Sequence, residues 1–336
     1  MSLLANFIDD EIMGVLDVKL NEAIEGMTSP TRERVRKFIL NSKGKQLRPA
    51  LIAVTTKILV DDVDYREEAM ERSYNAAIAI ELLHNMTLIH DDLIDRAPLR
   101  RGNKAFHVVH GTDRALHDGD ILHAYALTLL KDEPTLDLVL DYSYQVSLGN
   151  AIELEDRIDQ NFDFDQDHIV NIMELKTAIV FAGCVKLGCF AGRREDLFTD
   201  SVHDAIVSAG IAFQIQDDYL DIQGDQEQFG KISYWDIQES KRNLFLYFAL
   251  QTEHSQRVKG IFNRPVGEKT EIEVREILEV FRSVNPQVLK VRNKYLEFAL
   301  RELSTIQDNL DTEDTTAQEL FDFLQILVRI LVEREK

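Results

Sequence analysis

The feature that most constrains the fold of this chain is an acidic pattern, Asp-Asp-x-x-Asp, that occurs twice, each time at the end of an apolar helical segment. The first copy, in residues 81–102, contains Asp91, Asp92 and Asp95; the second, in residues 213–225, contains Asp217, Asp218 and Asp221. The first and last acids of each copy lie on one helix face, about one turn apart. Carboxylates this close are costly at the end of a buried helix unless a cation neutralises them. Hard oxygen ligands suit Mg²⁺, so the pattern predicts antiparallel helices that face one metal-binding cavity.

Apolar residues recur at helical spacing along the chain, and no long segment alternates as a strand would. Glycine (15) and proline (6) are few for 336 residues, which favours long uninterrupted helices. Helices are expected near residues 5–25, 32–40, 49–60, 65–89, 119–130, 136–155, 168–188, 200–221, 238–251, 270–281, 286–308 and 315–335. No Gly/Ser- or Pro-rich linker divides them. The sequence therefore predicts an all-α fold, one large helical bundle with a central cavity, with residues 1–336 as a single domain.

The composition limits the possible settings and partners. A formal net charge of -21 argues against nucleic acid as a partner of the general surface. Cys184 and Cys189 have neither zinc nor disulfide-framework spacing and are expected to be small buried hydrophobes. The first residues lack a basic region typical of a signal peptide, and no run of 18 apolar residues predicts a membrane span. A soluble protein in the cytoplasm is the expectation.

Basic side chains accompany the acidic copies. Arg100 and Arg101 follow the first copy, and Lys45 and Arg48 lie within the GKQLRP stretch, where forked or compact cations could hold phosphate. Lys176 interrupts the apolar stretch MELKTAIVFAG, where a lysine is costly without an anion, and Thr177 beside it is expected to bend that helix. Lys231 and Lys241 lie in or near a polar loop with the composition of a lid. Acids for metal beside bases for phosphate predict a metal–diphosphate site.

Six motifs occur in order: GKQLRP, ELLHNMTLIHDDLIDRAPLRRG, a His107 segment, Lys176-Thr177, FQIQDDYLD, and GK followed by DIQESK. With them the chain resembles the trans-isoprenyl diphosphate synthases, the head-to-tail polyprenyl synthetases that include geranylgeranyl and farnesyl diphosphate synthases. The resemblance extends from about residue 44 to residue 241. It implies a homodimeric enzyme in which an allylic diphosphate ionises, the double bond of isopentenyl diphosphate attacks the carbocation, and a proton is lost.

The resemblance also implies roles for single residues. Asp91, Asp95 and Asp217 would hold about three Mg²⁺ on the allylic diphosphate, supported by Asp92, Asp218 and Asp221. The cations on that diphosphate would be Arg100, Lys176, Lys231 and Lys241. The isopentenyl diphosphate site, which needs no metal, would comprise Lys45, Arg48, His84 and Arg101. Oxygen donors near the carbocation would be Thr177 and Gln214. The chain departs from the family pattern at Asn150 and Glu153 and in the lid, which leaves the roles of these positions open.

Residues below Asp91 on the same helix should meet the growing product. In the family that the chain resembles, the residue five positions before the first acid limits product length, and here it is Met86, with Thr87 and Leu83 nearby. Methionine is intermediate in bulk and flexible. A C20 product is therefore expected, with C15 and C25 as neighbours and a longer-chain synthase as an alternative.

Four other kinds of protein share some of these features. A non-catalytic subunit of a heteromeric synthase would lack one acidic copy, whereas both are present here. A terpene cyclase or head-to-head synthase would not need the metal-free isopentenyl diphosphate site. A di-iron bundle would need a second Glu-x-x-His besides Glu81 and His84. An EF-hand at Asp163 would need glycine where His168 stands.

Overall fold

The computed structural model describes residues 10–27, 30–41, 44–131, 133–159, 161–223 and 234–332, with residues 157–159 described as backbone only. Helices dominate them, which confirms the all-α prediction. The described part of the chain begins with α1 Asp10–Gly26, α2 Thr31–Asn41, α3 Leu47–Leu59 and α4 Val63–Ile94, and the first acidic copy lies at the end of α4. Next come α5 Phe106–His110, α6 Thr112–Thr128, α7 Leu136–Asp159, α8 Gln166–Met173, α9 Ile179–Ala191 and α10 Asp200–Gln223. The last are α11 Trp235–Glu239, α12 Leu244–Ala249, α13 Ser255–Phe262, α14 Glu271–Ser283, α15 Asn285–Asp308 and α16 Thr315–Val332.

The helix expected at 238–251 is two short helices, because Ser240 lies in the left-handed region and ends α11. Helices α5 and α13 were not predicted. The sequence also predicted no strand, whereas a two-residue hairpin joins β1 Leu99–Arg100 to β2 Asn103–Lys104. Arg101 and Gly102 both have positive φ angles, which is the backbone geometry of a tight hairpin turn. This turn places two consecutive arginines beside the end of α4.

Helices α4 and α10 form the inner part of the bundle. Helix α4 is buried along most of its second half and packs against α3, α6 and α9, while α10 packs most extensively against α15. The N-terminus of α4 is capped by the side chain of Asp62, which accepts a hydrogen bond from the backbone N–H of Asp64. One connected hydrophobic core extends from Ile12 to Val332 and includes the buried Cys184 and Cys189. The assignment of residues 1–336 to a single domain stays a prediction.

The helix that carries Lys176 is distorted at that point. Between α8 and α9, Glu174–Ala178 forms a π-helical turn, a feature that often marks functional positions. Two glycines allow other helices to approach this turn closely. A Cβ at Gly149 of α7 would lie 2.9 Å from Cγ of Lys176, and a Cβ at Gly210 of α10 would lie 2.5 Å from Cα of Ala178. The helix thus has a π-helical turn at the position where the sequence predicts a bend, and the Thr177 hydroxyl donates to Gln214.

One stretch among the described residues, Gln166–Ala191, is long and apolar enough by composition to cross a membrane. However, 61% of its most apolar window is buried inside the protein, which is typical of a core helix.

Candidate active site

A cavity of about 590 Å³ opens at the end of α4 and brings together most of the residues that the sequence predicted. Predicted site residues that line it are Lys45, Arg48, His84, Thr87, Asp91, Asp95, Arg100, Arg101, Lys176, Thr177, Gln214, Asp217, Asp218, Asp221 and Lys241. Glu153, Asp236 and the apolar residues Leu88, Ile172 and Phe213 complete part of the wall. Both acidic copies thus face one space, and its volume is within the usual range for small-molecule sites.

The acids of the first copy divide into two groups. Asp91 and Asp95 line the cavity, and burial raises the pKa of Asp91, a shift that Lys176 nearby partly offsets. Asp92 is fully buried and is not among the lining residues; its carboxylate accepts hydrogen bonds from Nε and Nη2 of Arg100. The reason is rotational, because adjacent residues on a helix point about 100° apart. The structure thus places Asp92 where it fixes Arg100 and not at the cavity wall, so the predicted part of Asp92 in holding metal stays a prediction.

The second copy is ordered by a short chain of hydrogen bonds. Thr177 Oγ1 donates to Gln214 Oε1 at 2.9 Å, and Gln214 Nε2 donates to Asp218 Oδ1 at 2.9 Å. These two hydrogen bonds fix the amide orientation of Gln214, the residue predicted to lie near the allylic carbocation. Burial raises the pKa of Asp218 to about 7, although Lys241 favours its ionised form. A cation that enters the cavity would favour the ionised form of this carboxyl group and lower its pKa.

Glu153 of α7 connects two of the predicted cations. Its carboxylate is bound by Lys176 through Nζ, and Lys241 Nζ lies 3.3 Å from Oε1. The charge of Glu153 raises the pKa of Lys241 well above its ordinary value despite burial, so Lys241 is fully protonated. Two partly buried ammonium groups thus share one carboxylate, and Lys176 also lowers the pKa of Asp91 while Lys241 lowers that of Asp218.

A second group of basic side chains, Arg48, His84 and Arg101, lines the same cavity. Burial lowers the pKa of Arg48, whose guanidinium lies 5.3 Å from the Phe181 ring centroid. His84 Nε2 lies 3.4 Å from Arg48 Nη1, and burial together with Arg48 and Arg101 lowers the pKa of His84 well below its usual range. A neutral imidazole between arginines can donate a hydrogen bond to an anion. Gly44 provides the space for Arg101, because a Cβ there would lie 2.7 Å from Arg101 Nη1.

The donor set fits magnesium. No group of three or more acidic, His or Cys side chains in the described residues is arranged to hold one ion by itself. Mg²⁺ is usually bound by one or two carboxylates together with waters and substrate phosphates, so a preformed protein cage is not required. Asp91, Asp95 and Asp217 offer carboxylate oxygens around a common space in which a diphosphate could supply the remaining ligands.

Two predicted chain-length residues are not brought to this cavity. Leu83 is buried in the core and Met86 packs against it, whereas Thr87 and Leu88 line the wall. Met86, five positions before Asp91, points about 140° away from it around the helix axis. Leu88 and Thr87, three and four positions before Asp91, lie on nearly the same face as Asp91. Of the three predicted chain-length residues, Thr87 therefore lines this cavity together with Leu88, and the role of Met86 and Leu83 stays a prediction. Lys231 lies outside the described residues.

Sequence reasoning missed contacts made by the segment after the polar loop. Trp235 Nε1 donates to the backbone oxygen of Asp95 at 2.9 Å, and Asp236 lines the cavity near Lys241. The only signal in the sequence was the position of these residues between two predicted cations, which does not specify a partner.

Comparison with known proteins agrees with this geometry. The family model described as polyprenyl synthetase matches residues 30–281. A geranylgeranyl diphosphate synthase of Saccharolobus solfataricus is 28% identical over 306 residues, covering 87% of this chain and 89% of that enzyme. A geranylfarnesyl diphosphate synthase of Aeropyrum pernix is 27% identical over 309 residues, covering 89% and 92%. A polyprenyl synthase structure from Caulobacter crescentus, complexed with calcium and isoprenyl diphosphate, superposes with a TM-score of 0.82 at 22% identity, covering 100% of this chain and 98% of that one.

Proposed function

Because the chain belongs to the polyprenyl synthetase family, we propose that it condenses an allylic diphosphate with isopentenyl diphosphate and releases diphosphate. It is a trans-prenyltransferase, as its relatives are. The observation that carries the proposal is the shared cavity, in which two acidic copies and two groups of cations face one space. Such a cavity can hold two diphosphates at once, one beside the acids and one without metal.

We assign the metal-binding role to Asp91, Asp95 and Asp217, with Asp92, Asp218 and Asp221 in support. About three Mg²⁺ in the site are expected from the family resemblance, and when bound they supply electrostatic stabilisation to the departing diphosphate. Arg100, Lys176 and Lys241, with Lys231, add fixed positive charge to that diphosphate.

In the reaction, the carbon–oxygen bond of the allylic diphosphate breaks and its electron pair leaves with the diphosphate. Thr177 Oγ1 and Gln214 Oε1 lie at the cavity wall, where their oxygen dipoles stabilise the allylic cation. Lys45, Arg48, His84 and Arg101 hold isopentenyl diphosphate so that its double bond forms the new carbon–carbon bond, after which a proton is lost. The apolar wall excludes water, which would otherwise trap the cation.

We propose a C20 product. Leu88 and Thr87 are the side chains of α4 that meet a growing chain directly below Asp91, and neither is large enough to stop it at once. Relatives named for C20 and C25 products support a medium length.

We further propose a homodimer that acts in the cytoplasm. Leu140, Tyr144 and Leu148 form an exposed apolar stripe at i, i+4 and i+8 on α7, with exposures of 41%, 69% and 41%. Leu116 and Ile121 of α6 are also exposed. Contiguous apolar surface of this kind typically marks a protein interface.

The experiment is incubation of the purified protein with isopentenyl diphosphate, an allylic diphosphate and Mg²⁺, followed by chromatography of the product. A linear prenyl diphosphate, mainly C20, is expected. A hydrocarbon, a cyclopropyl product or no turnover would refute the proposal.

A further inference from the structure

A second buried acid, Asp156, follows Glu153 by three residues on the same helix, so the two lie on neighbouring positions of one face of α7. Only 10% of its side chain is exposed. Oδ1 of Asp156 accepts a hydrogen bond from Arg242 Nη1 at 2.5 Å, and Oδ2 lies 2.8 Å from Nε2 of His168. Asp156 therefore joins three separate parts of the chain.

Arg242 is held on several sides. Its side chain is 9% exposed, its Nη2 donates to the backbone oxygen of Asn161 at 2.8 Å, and its guanidinium lies 5.1 Å from the Phe164 ring centroid. A buried guanidinium without its carboxylate partner would be costly, so loss of Asp156 should shift Arg242 towards solvent. Because Arg242 is covalently next to Lys241, that shift would move the cavity lysine as well.

The two acids of α7 thus reach Lys176 and Lys241 in different ways, Glu153 directly and Asp156 through neighbouring residues. Glu153 binds Lys176 and Lys241 themselves. Asp156 binds Arg242, the neighbour of Lys241, and His168, which lies on the helix that leads into the π-helical turn with Lys176. A side chain that orients charged groups without touching substrate can strongly affect a site.

We propose that Asp156 is a positioning residue that holds Lys241 in place for the allylic diphosphate through its ion pair with Arg242. This inference rests on the proposed function, because it assumes that Lys241 contacts that diphosphate. It makes the effect of Asp156 specific to one of the two substrates. A residue that served stability alone would affect both substrates equally.

The test is Asp156→Asn, which keeps the shape and one acceptor but removes the charge that neutralises Arg242. The matched control is Glu155→Gln, on the same helix with an exposed side chain. KM for the allylic diphosphate should rise roughly 10-fold or more in Asp156→Asn, as for other residues that orient a site. KM for isopentenyl diphosphate should change little, and both values should remain unchanged in Glu155→Gln.

A double variant separates positioning from stability. In a Lys241→Met background, Asp156→Asn should change the allylic KM much less than in the wild type, because the residue that it positions is gone. Equal effects in both backgrounds, or equal changes in KM for the two substrates, would overturn the proposal. If Asp156→Asn does not fold, Arg242→Gln is expected to show the same selective rise, and unfolding of both variants would also overturn it.

Binding provides a readout that does not require turnover. Calorimetry with inorganic diphosphate and Mg²⁺ should give weaker binding to Asp156→Asn than to the wild type and to Glu155→Gln. Unchanged diphosphate binding would refute the inference while leaving the proposed function standing. A wild type that binds diphosphate but makes no prenyl product would instead refute the proposed function.

Discussion

Replacement of Asp218 by Asn should change how the stability of this protein depends on pH. Burial raises the pKa of Asp218 from 3.8 to about 7. Between these values the folded protein keeps a proton that the unfolded chain has released. Unfolding therefore releases a proton, and the contribution of this group to the free energy of unfolding falls as the pH rises from about 4 to 7.

The size of the effect follows from the shift. About three pKa units at 1.36 kcal/mol each correspond to about 4 kcal/mol, which is an upper limit because the side chain is only partly buried. Asn resembles the protonated acid in shape, and its oxygen can still accept the hydrogen bond from Gln214 Nε2. Asp218→Asn should therefore be the more stable protein above pH 7, and the difference should shrink towards pH 4.

The assay is urea unfolding of both proteins across this pH range, with a chelator present so that no metal contributes. The difference in free energy of unfolding, wild type minus variant, should fall steadily as the pH rises and level off above about pH 7. Parallel curves for the two proteins across the whole range would refute the argument, because they would show that Asp218 does not titrate abnormally in the folded state.

Two further substitutions test the geometry of the cavity. Gly44→Ala would place a Cβ 2.7 Å from Arg101 Nη1, so KM for isopentenyl diphosphate should rise about tenfold or more, whereas Gly14→Ala, with no neighbour within 4 Å, should leave it unchanged. Equal kinetics for the two glycine variants would contradict this. Leu88→Ala should lengthen the product seen by chromatography while Met86→Ala should not, because Leu88 lines the cavity and Met86 does not, and the opposite pattern would show that Met86 is the limiting residue.

Much of the site could be predicted because its signals are local. The spacing within each acidic copy places the first and last acids on one helix face, and an apolar helix before them indicates a buried position. Lys176 stood out for the same reason, as a cation in an apolar stretch. The structure brings Asp91, Asp95, Asp217 and Lys176 to one cavity, as these patterns indicated.

The sequence could not reveal which acids point away or what they bind. Asp92 belongs to the acidic pattern but pairs with Arg100, a partner supplied by a hairpin that no strand-like pattern predicted. Met86 was assigned by position in the chain, whereas Thr87 and Leu88 are the residues of this turn that line the cavity. The difference at Asp92 arises from direction around the helix axis.

Long-range partners were the other gap. Trp235 and Asp95 are 140 residues apart, and Arg242 and Asp156 are 86 residues apart. Neither pair has a local pattern, because a single aromatic or charged residue near a loop fits a solvated surface equally well. Only the packing of α7 and the 241–243 segment around the cavity shows why these side chains are where they are.

The most direct test of the central claim, that both acidic copies act on one diphosphate in one cavity, is the turnover of Asp91→Asn, Asp217→Asn and the double variant. Each single change should lower kcat by two or more orders of magnitude without lowering the midpoint of urea unfolding, since each removes one side of the metal-binding space. The double variant should be little worse than the poorer single variant, because residues that act as a unit are not additive. Near-normal turnover in either single variant, or fully multiplicative losses in the double variant, would contradict the account.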